Sequence, residues 1–153
     1  MTPKNNRIAA ATAIATALAI PAEGLRQFAY YDPPGILTVC YGHTGPDVEI
    51  NVKYSLDKCK AWFTEDMKRA IETVERCHPG LPENTLAAFS DAVFNLGPKI
   101  ACDSTASRLL AAGEIEQACR ELPRWNKARV AGVLVPLPGL TKRRAKEMAL
   151  CLA

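Results

Sequence analysis

Metal-ligating residues are scarce in this chain. It has only two histidines, and none of its six cysteines forms a C-x-x-C pair. No zinc template fits such a pattern, so no metal site is predicted. Low-complexity tracts and internal repeats are absent as well, and 153 residues are enough for one domain with a buried core.

A large excess of charge is also missing. The formal net charge of +3 would suit an anionic polymer or a membrane surface, but simple solubility explains it equally well. Four basic residues near the C terminus are interleaved with Ala, Met and Leu, the pattern of the solvent-facing side of a last helix: Lys142, Arg143, Arg144 and Lys146. Nucleic-acid binding therefore has little support.

The cysteines are even in number, which in a small chain suggests disulfides and an oxidising compartment. Reduced, buried cysteines in a cytosolic protein are the alternative. Fifteen complete pairings of six cysteines are possible. The order of the predicted elements favours pairing between neighbours: Cys40 with Cys59, Cys77 with Cys102, and Cys119 with Cys151.

The N-terminal segment has no charge between Ile8 and Ala22, after a positive start at Lys4 and Arg7. It is rich in Ala and Thr, and as a helix its apolar part would span roughly 20 Å, against about 30 Å for a hydrocarbon core. Such a segment is a poor permanent anchor. It could be a signal peptide cleaved near Ala17-Leu18-Ala19, or an ordinary soluble helix.

The stretch that follows carries two carboxylates, Glu23 and Asp32, and a hydroxyl, Thr38. Pro33-Pro34-Gly35 predicts a turn, and the β-branched and aromatic run at 36–41 predicts the returning strand of a hairpin. Glycoside hydrolysis uses two carboxyl groups on different elements, one on each side of the scissile bond. Their spacing alone also arises by chance among surface residues.

The rest of the chain predicts mainly helices. Ser55 can cap a helix that ends near Arg76, and a very apolar helix is expected over Glu83–Leu96. Shorter helices are expected at 104–112 and 114–122, an irregular stretch at 130–138, and a last helix capped by Thr141. His78, beside a Pro-Gly loop, is expected at the surface. One small hairpin among many helices gives the α+β class.

Several motifs, in order, resemble the phage-type lysozymes of glycoside hydrolase family 24. The sequence E-G-L-R begins at Glu23, Y-x-D ends at Asp32, G-x-x-T ends at Thr38, and G-H-T-G follows. The runs at 92–97, 104–110 and 124–126 match later parts of the family pattern. The resemblance covers nearly everything after residue 22.

This resemblance implies a lysozyme-like fold, mostly helical, with one small β-hairpin subdomain beside the active-site cleft. It implies an inverting N-acetylmuramidase that hydrolyses the β-1,4 bond between N-acetylmuramic acid and N-acetylglucosamine in peptidoglycan, with no cofactor. Glu23 would be the general acid, and Asp32 and Thr38 would position the attacking water. Other implied roles are substrate binding by Phe94, Asn95 and Arg124 and a structural pair of His43 with Asp66.

The family also adds a third interpretation of the N-terminal segment. The chain resembles the signal-anchor-release endolysins of lambdoid phages, which implies a releasable segment at 1–22 and a catalytic domain at 23–153. The protein would be a monomer exported to the host periplasm, first tethered to the inner membrane and then released to act on glycan strands and lyse the host. No cysteine precedes Cys40, which departs from the pattern of endolysins activated by thiol exchange.

Two other functions stay open on the sequence. A lytic transglycosylase would keep an acid such as Glu23, but it needs no water-positioning pair, so Asp32 and Thr38 argue against it. A non-enzymatic membrane-active or wall-binding module would use residues 1–22 as its working part.

Overall fold

In the computed structural model, which describes residues 2–153, the chain folds into seven α-helices and two small antiparallel sheets. Met1, which belongs to the predicted N-terminal segment, lies outside the described residues. The helices are α1 (Pro3–Glu23), α2 (Leu56–Cys77), α3 (Glu83–Leu96), α4 (Lys99–Cys102), α5 (Thr105–Ala111), α6 (Ile115–Glu121) and α7 (Pro138–Leu152). The strands are β1 (Arg26–Tyr31), β2 (Leu37–Cys40), β3 (His43–Thr44), β4 (Lys127–Val130) and β5 (Val133–Pro136).

Helix α3 forms the centre of the molecule, and its bounds are those predicted. Every residue from Thr85 to Val93 is buried, and α1, α2 and α7 all pack against this helix. Gly97, with φ of +94°, ends it. Helix α2 begins as predicted, because the Ser55 hydroxyl accepts a hydrogen bond from the backbone N–H of Lys58 at 3.1 Å.

Helix α1 packs into the same core. Ala11, Ala15 and Ala19 lie four residues apart on one face and have no exposed surface. Near the start of the helix, the Arg7 guanidinium pairs with the Glu75 carboxylate and donates a hydrogen bond to the Leu81 carbonyl at 2.8 Å. Between residues 2 and 153, no helix combines the length and the apolarity needed to cross a membrane.

The first sheet has the order β1-β2-β3, so the predicted hairpin gains a short third strand. Tyr30 lies opposite Thr38, and Thr38 lies opposite Thr44. The turn between β1 and β2 contains Pro33-Pro34-Gly35, as expected, and the Gly35 N–H donates to the Asp32 carbonyl at 2.8 Å. This sheet lies next to α2.

The second sheet corrects the expectation of an irregular stretch at 130–138. Strands β4 and β5 pair through four residues each, and the connecting residues Ala131 and Gly132 both have positive φ, at 51° and 81°. Two such residues make the tight turn that suits a hairpin. Helix α7 then starts at Pro138, because proline fits the first turn of a helix, so Thr141 lies inside the helix and does not cap it.

The six cysteines form the three disulfides between neighbours: Cys40–Cys59, Cys77–Cys102 and Cys119–Cys151. They join β2 to α2, α2 to α4, and α6 to α7. His78 is buried beside the second of these, with Nε2 at 2.7 Å from the Ala101 carbonyl, so the prediction of a surface position is wrong. Its Nε2 thus has a partner on α4, and it also lies 3.1 Å from the Ser107 hydroxyl.

Candidate active site

Glu23 is the last residue of α1, and the backbone leaves the helix at Gly24, whose φ is +67°. A carboxylate at the C-terminal end of a helix meets the negative end of the helix dipole. The Arg143 guanidinium offsets this effect, because its Nη1 donates to Glu23 Oε1. The β2–β3 turn also approaches closely, since a Cβ on Gly42 would lie 2.5 Å from Glu23 Oε2. Glycine at this position leaves room for the carboxylate.

Arg143 is itself held by Asp91 of the central helix. Its Nε and Nη2 donate to the two Asp91 carboxylate oxygens at 2.9 and 2.8 Å, and both side chains are buried. Burial would lower the pKa of Arg143, but the hydrogen bonds and charges of Asp91 and Glu23 raise it. The arginine therefore stays charged. The expectation that Arg143 faces solvent is wrong, because a buried charge needs partners and Arg143 finds two.

Arg144 is buried as well, which corrects the same expectation for this residue. It donates to both carboxyl oxygens of Glu147, and its Nη2 donates to Asn95 Oδ1 at 2.9 Å. Burial and the neighbouring Asp91 carboxyl raise the pKa of Glu147 from its ordinary value of 4.5 to about 9. Burial alone would raise the pKa of Asp91, but hydrogen bonds from Arg143 and Glu147 lower it below its ordinary value. The opposite directions of the two pKa values favour an ionised Asp91 beside a Glu147 that keeps its proton.

This proton makes stability depend on pH. The pKa of Glu147 is higher in the folded protein than in the unfolded chain, so between about pH 5 and 9 the folded state binds the additional proton. We expect the free energy of unfolding to fall as the pH rises through this range. Glu147→Gln keeps a neutral side chain of the same shape and should flatten the dependence, measured as the urea midpoint from pH 5 to 9.

The exposed carboxylate Glu116 supplies the matched control for this measurement, since its side chain is 73% exposed. Glu116→Gln should keep the wild-type slope. A Glu147→Gln variant with the wild-type slope would contradict the assignment of the proton.

Asp32 follows β1 and is half-buried. Its Oδ1 accepts the backbone N–H of Ile36 at 2.7 Å, and its own N–H donates to the Ile36 carbonyl at 3.0 Å. These two bonds close the turn after β1 and fix the carboxylate.

Thr38 lies on β2, opposite Tyr30, and is only 4% exposed. Its hydroxyl donates to the Ile36 carbonyl at 2.9 Å, so the hydroxyl oxygen can still accept a hydrogen bond from a water. Burial and the charge of Glu23 raise the pKa of Tyr30, which keeps its phenol neutral.

Glu23, Asp32 and Thr38 line one cleft, with a volume of about 960 Å³. Of the residues expected to bind substrate, Phe94 and Asn95 line the same cleft. The structure does not bring Arg124 to it: this side chain is 76% exposed and pairs with Glu121. The short 3₁₀ turn at Leu122–Arg124 directs it to solvent.

His43 lies beside Asp66, with Nδ1 at 2.7 Å from the Asp66 carboxylate, as the structural-pair hypothesis requires. Its Nε2 is 3.0 Å from Asp47 Oδ1, a partner that the sequence did not reveal. The imidazole also stacks on Trp62, with ring centroids 4.1 Å apart. All of its polar groups are therefore occupied, and it does not line the cleft that holds Glu23.

Sequence reasoning missed Arg143 and Asp91 as supports of Glu23. A signal was present, because Asp91 stands in the middle of the very apolar helix α3. A carboxylate at a position that must be buried requires a cation, and the pair of consecutive arginines on the last helix could supply one.

The class of protein follows from this arrangement. Carboxylates that reach one groove from different elements fit the needs of a glycoside hydrolase, and a helical core with a small sheet beside the groove fits a lysozyme-like fold. A model of the phage lysozyme family matches residues 21–147, so the chain belongs to that family. It is a lysozyme, an enzyme that cleaves bacterial peptidoglycan.

Relatives and solved structures agree with this assignment. The SAR-endolysin of Bacteriophage PS119 is 36% identical over 134 residues, which cover 85% of this chain and 76% of that protein. The active form of the P1 phage endolysin Lyz superposes with a TM-score of 0.77 at 26% identity, covering 91% of this chain and 83% of the other. The secreted inactive form of Lyz gives a TM-score of 0.53, with 71% and 75% covered. The fold described here is thus nearer to the active form.

Proposed function

We propose that Glu23 is the general acid of an inverting N-acetylmuramidase. In its protonated form, Glu23 donates that proton to the leaving oxygen of the β-1,4 bond. Asp32 takes a proton from the attacking water, and the Thr38 hydroxyl oxygen accepts the second hydrogen of that water. The bond from the sugar to the leaving oxygen breaks as the bond to water forms on the opposite face.

One observation carries this proposal. The three groups come from the end of α1, the turn after β1 and the strand β2, yet they converge on one cleft. Asp32 and Thr38 also share a partner, since each is hydrogen-bonded to the backbone of Ile36. The carboxylate and the hydroxyl are thus anchored to the same residue, which suits two groups that handle the same water.

Mass analysis of released muropeptides tests the reaction. Hydrolysis leaves a reducing N-acetylmuramic acid end, which carries one water more than the anhydro product of a lytic transglycosylase. Reaction in deuterated water followed by NMR of the new anomeric centre gives the stereochemistry. An anhydro product would contradict the water-positioning roles of Asp32 and Thr38, and retention would contradict direct attack by water.

We further propose that residues 1–22 tether the enzyme to the inner membrane and are then released into the periplasm. Several relatives bear the name SAR-endolysin, among them that of Bacteriophage PS119. The segment has no charge between Ile8 and Ala22, and its richness in Ala means that a bilayer would hold it only weakly. Once released, it has a place in the domain, because α1 presents Ala11, Ala15 and Ala19 to the core.

The position of Glu23 connects release to activity. The carboxylate is the last residue of α1, so its place in the cleft depends on α1 packing against α3. While the segment lies in lipid, Glu23 cannot reach Arg143 or the cleft. The ion pair of Arg7 with Glu75 likewise requires that the start of α1 has left the cytoplasmic side.

The two faces of α1 allow a sharp test of release. Ala9, Ala13 and Ala17 are exposed in the folded domain, so leucine at these positions leaves the core intact. Each Ala→Leu change adds about 0.8 kcal/mol per additional buried CH₂ to the affinity for lipid. We expect the triple leucine variant to stay in the membrane fraction without activity, and to become active after detergent extraction. Fractionation over time and intact-mass measurement provide the readout.

Two variants serve as controls. Serine at the same three positions should be released at least as fast as the wild type. Leucine at the buried positions Ala11, Ala15 and Ala19 should stay inactive even after extraction, because the core has no room for it. A mature form that begins near Ile20 or Glu23 would show a cleaved signal instead. Protein that is soluble and active in the cytoplasm from the start would show an ordinary helix.

A further inference from the structure

Three lysines line the catalytic cleft on the side contributed by β4 and α7: Lys127, Lys142 and Lys146. Lys142 and Lys146 lie four residues apart on one face of α7, and all three side chains are exposed. Across residues 2–153, no carboxylate lies within ion-pair distance of their ammonium groups. This group, called here the cleft lysines, therefore has no internal partner.

The charge balance of the cleft makes the cleft lysines stand out. The acidic residues that line it are Glu23 and Asp32, and Arg143 already pairs with Glu23. Asp32 is bound to the turn after β1, on the side of the cleft formed by the first sheet. The side of the cleft formed by β4 and α7 thus carries three positive charges, and no carboxylate that lines the cleft pairs with them.

The sugars of a glycan strand do not supply this balance. N-acetylglucosamine is neutral, and the lactyl group of N-acetylmuramic acid is joined as an amide to the stem peptide. The free carboxylates of the polymer lie on that peptide, next to the sugar whose bond is cleaved. A strand bound over Glu23 and Asp32 would carry its stem peptides toward the walls of the groove, which the cleft lysines help to form.

We propose that the cleft lysines form a subsite for the carboxylates of the stem peptide of peptidoglycan. The proposal rests on the muramidase function proposed above and names the part of the substrate that this enzyme selects. Lys127 contributes from the hairpin β4–β5, which lies beside the cleft, and Lys142 and Lys146 contribute from α7. The subsite makes the enzyme prefer strands with free stem carboxylates over strands in which they are blocked.

The test compares two substrates that differ only in these carboxylates. One is soluble peptidoglycan with acetylated peptide amines, and the other is the same material with its carboxylates converted to methylamides. The measured quantity is the ratio of kcat/KM on the two substrates. We expect wild type to prefer the carboxylate form by about tenfold or more. The triple variant K127Q/K142Q/K146Q should lose about tenfold of that preference, because it removes three exposed ion pairs whose small contributions add up.

The triple variant K60Q/K68Q/K99Q is the matched control, because it removes the same charge from exposed lysines that do not line the cleft. It should keep the wild-type ratio. The proposal is overturned if the cleft variant keeps that ratio, if wild type shows no preference, or if both triple variants lose it equally. The last result would mean a general attraction to an anionic polymer.

The failure of the underlying function would look different. If the chain is not a muramidase, wild type releases no reducing muramic acid ends from either substrate, or Glu23→Gln releases as many as wild type. Muramidase products with an unchanged ratio in the cleft variant would leave the function standing and remove only the subsite.

Discussion

Glu23→Gln is expected to abolish cleavage of peptidoglycan while the protein stays folded. The loss in kcat should be about 10²-fold or more, the scale of general acid catalysis. The fold should hold because Arg143 keeps both hydrogen bonds to Asp91, and the glutamine Oε1 can still accept from Arg143 Nη1. The rate is measured on purified peptidoglycan, with the urea midpoint as the check on folding. Near wild-type cleavage by this variant would refute the assignment of the acid.

The water-positioning pair should respond in the same assay. Asp32→Asn keeps an oxygen for the Ile36 N–H, so it removes the charge of the base without opening the turn. Thr38→Ala should lower kcat more than the loss of any other hydroxyl. Thr44 is the matched control, since it lines the same cleft and pairs with Thr38 on the neighbouring strand. Equal losses from Thr38→Ala and Thr44→Ala would contradict a specific role for Thr38.

Reduction of the three disulfides should have the largest effect on stability. The bonds close loops of 19, 25 and 32 residues. Each should contribute about 3–4 kcal/mol by restricting the unfolded chain. Their sum is comparable to the whole stability of an ordinary domain, about 5–15 kcal/mol. Fully reduced protein should therefore be largely unfolded at 37 °C, as measured by circular dichroism with and without reductant.

Single disulfide removals separate stability from activity. Cys40 lies two residues after Thr38, so a double serine variant at Cys40 and Cys59 should lower kcat as well as the urea midpoint. The variant without Cys119–Cys151 should mainly lower the midpoint. Thiol titration of active protein from the periplasm should find no free thiols. Six reactive thiols in active protein would show that the bonds do not form in the cell.

The fold was predictable where the signals are local. The bounds of α3 and the start of α2 follow from apolar periodicity, a serine cap and a stopping glycine, all within a few residues of the element. The turn at Pro33-Pro34-Gly35 is equally local. The hairpin β4–β5 was not predicted, because the turn at Ala131-Gly132 needs a positive φ at an alanine, and no local sequence signal predicts that conformation.

The candidate site was predictable only in part. Glu23, Asp32 and Thr38 lie within one short stretch, where chain order and family resemblance both point to them. Arg143 was not predictable in this way, because its partners Asp91 and Glu23 lie 52 and 120 residues away. Periodicity describes which face of a helix is apolar, and it assigns charged residues to the opposite face. Apolar periodicity therefore cannot predict a charged side chain that is buried with a partner.

The sequence by itself determined the class of this protein, its α+β composition and the three residues proposed for catalysis. It did so because helices, turns and the family motifs are encoded by residues close together in the chain. Tertiary structure alone decided that α1 belongs to the core, that Arg143 supports Glu23, and that unpaired lysines line the cleft. Each of these depends on which distant groups meet in space, since burial and charge pairing are properties of the packed molecule.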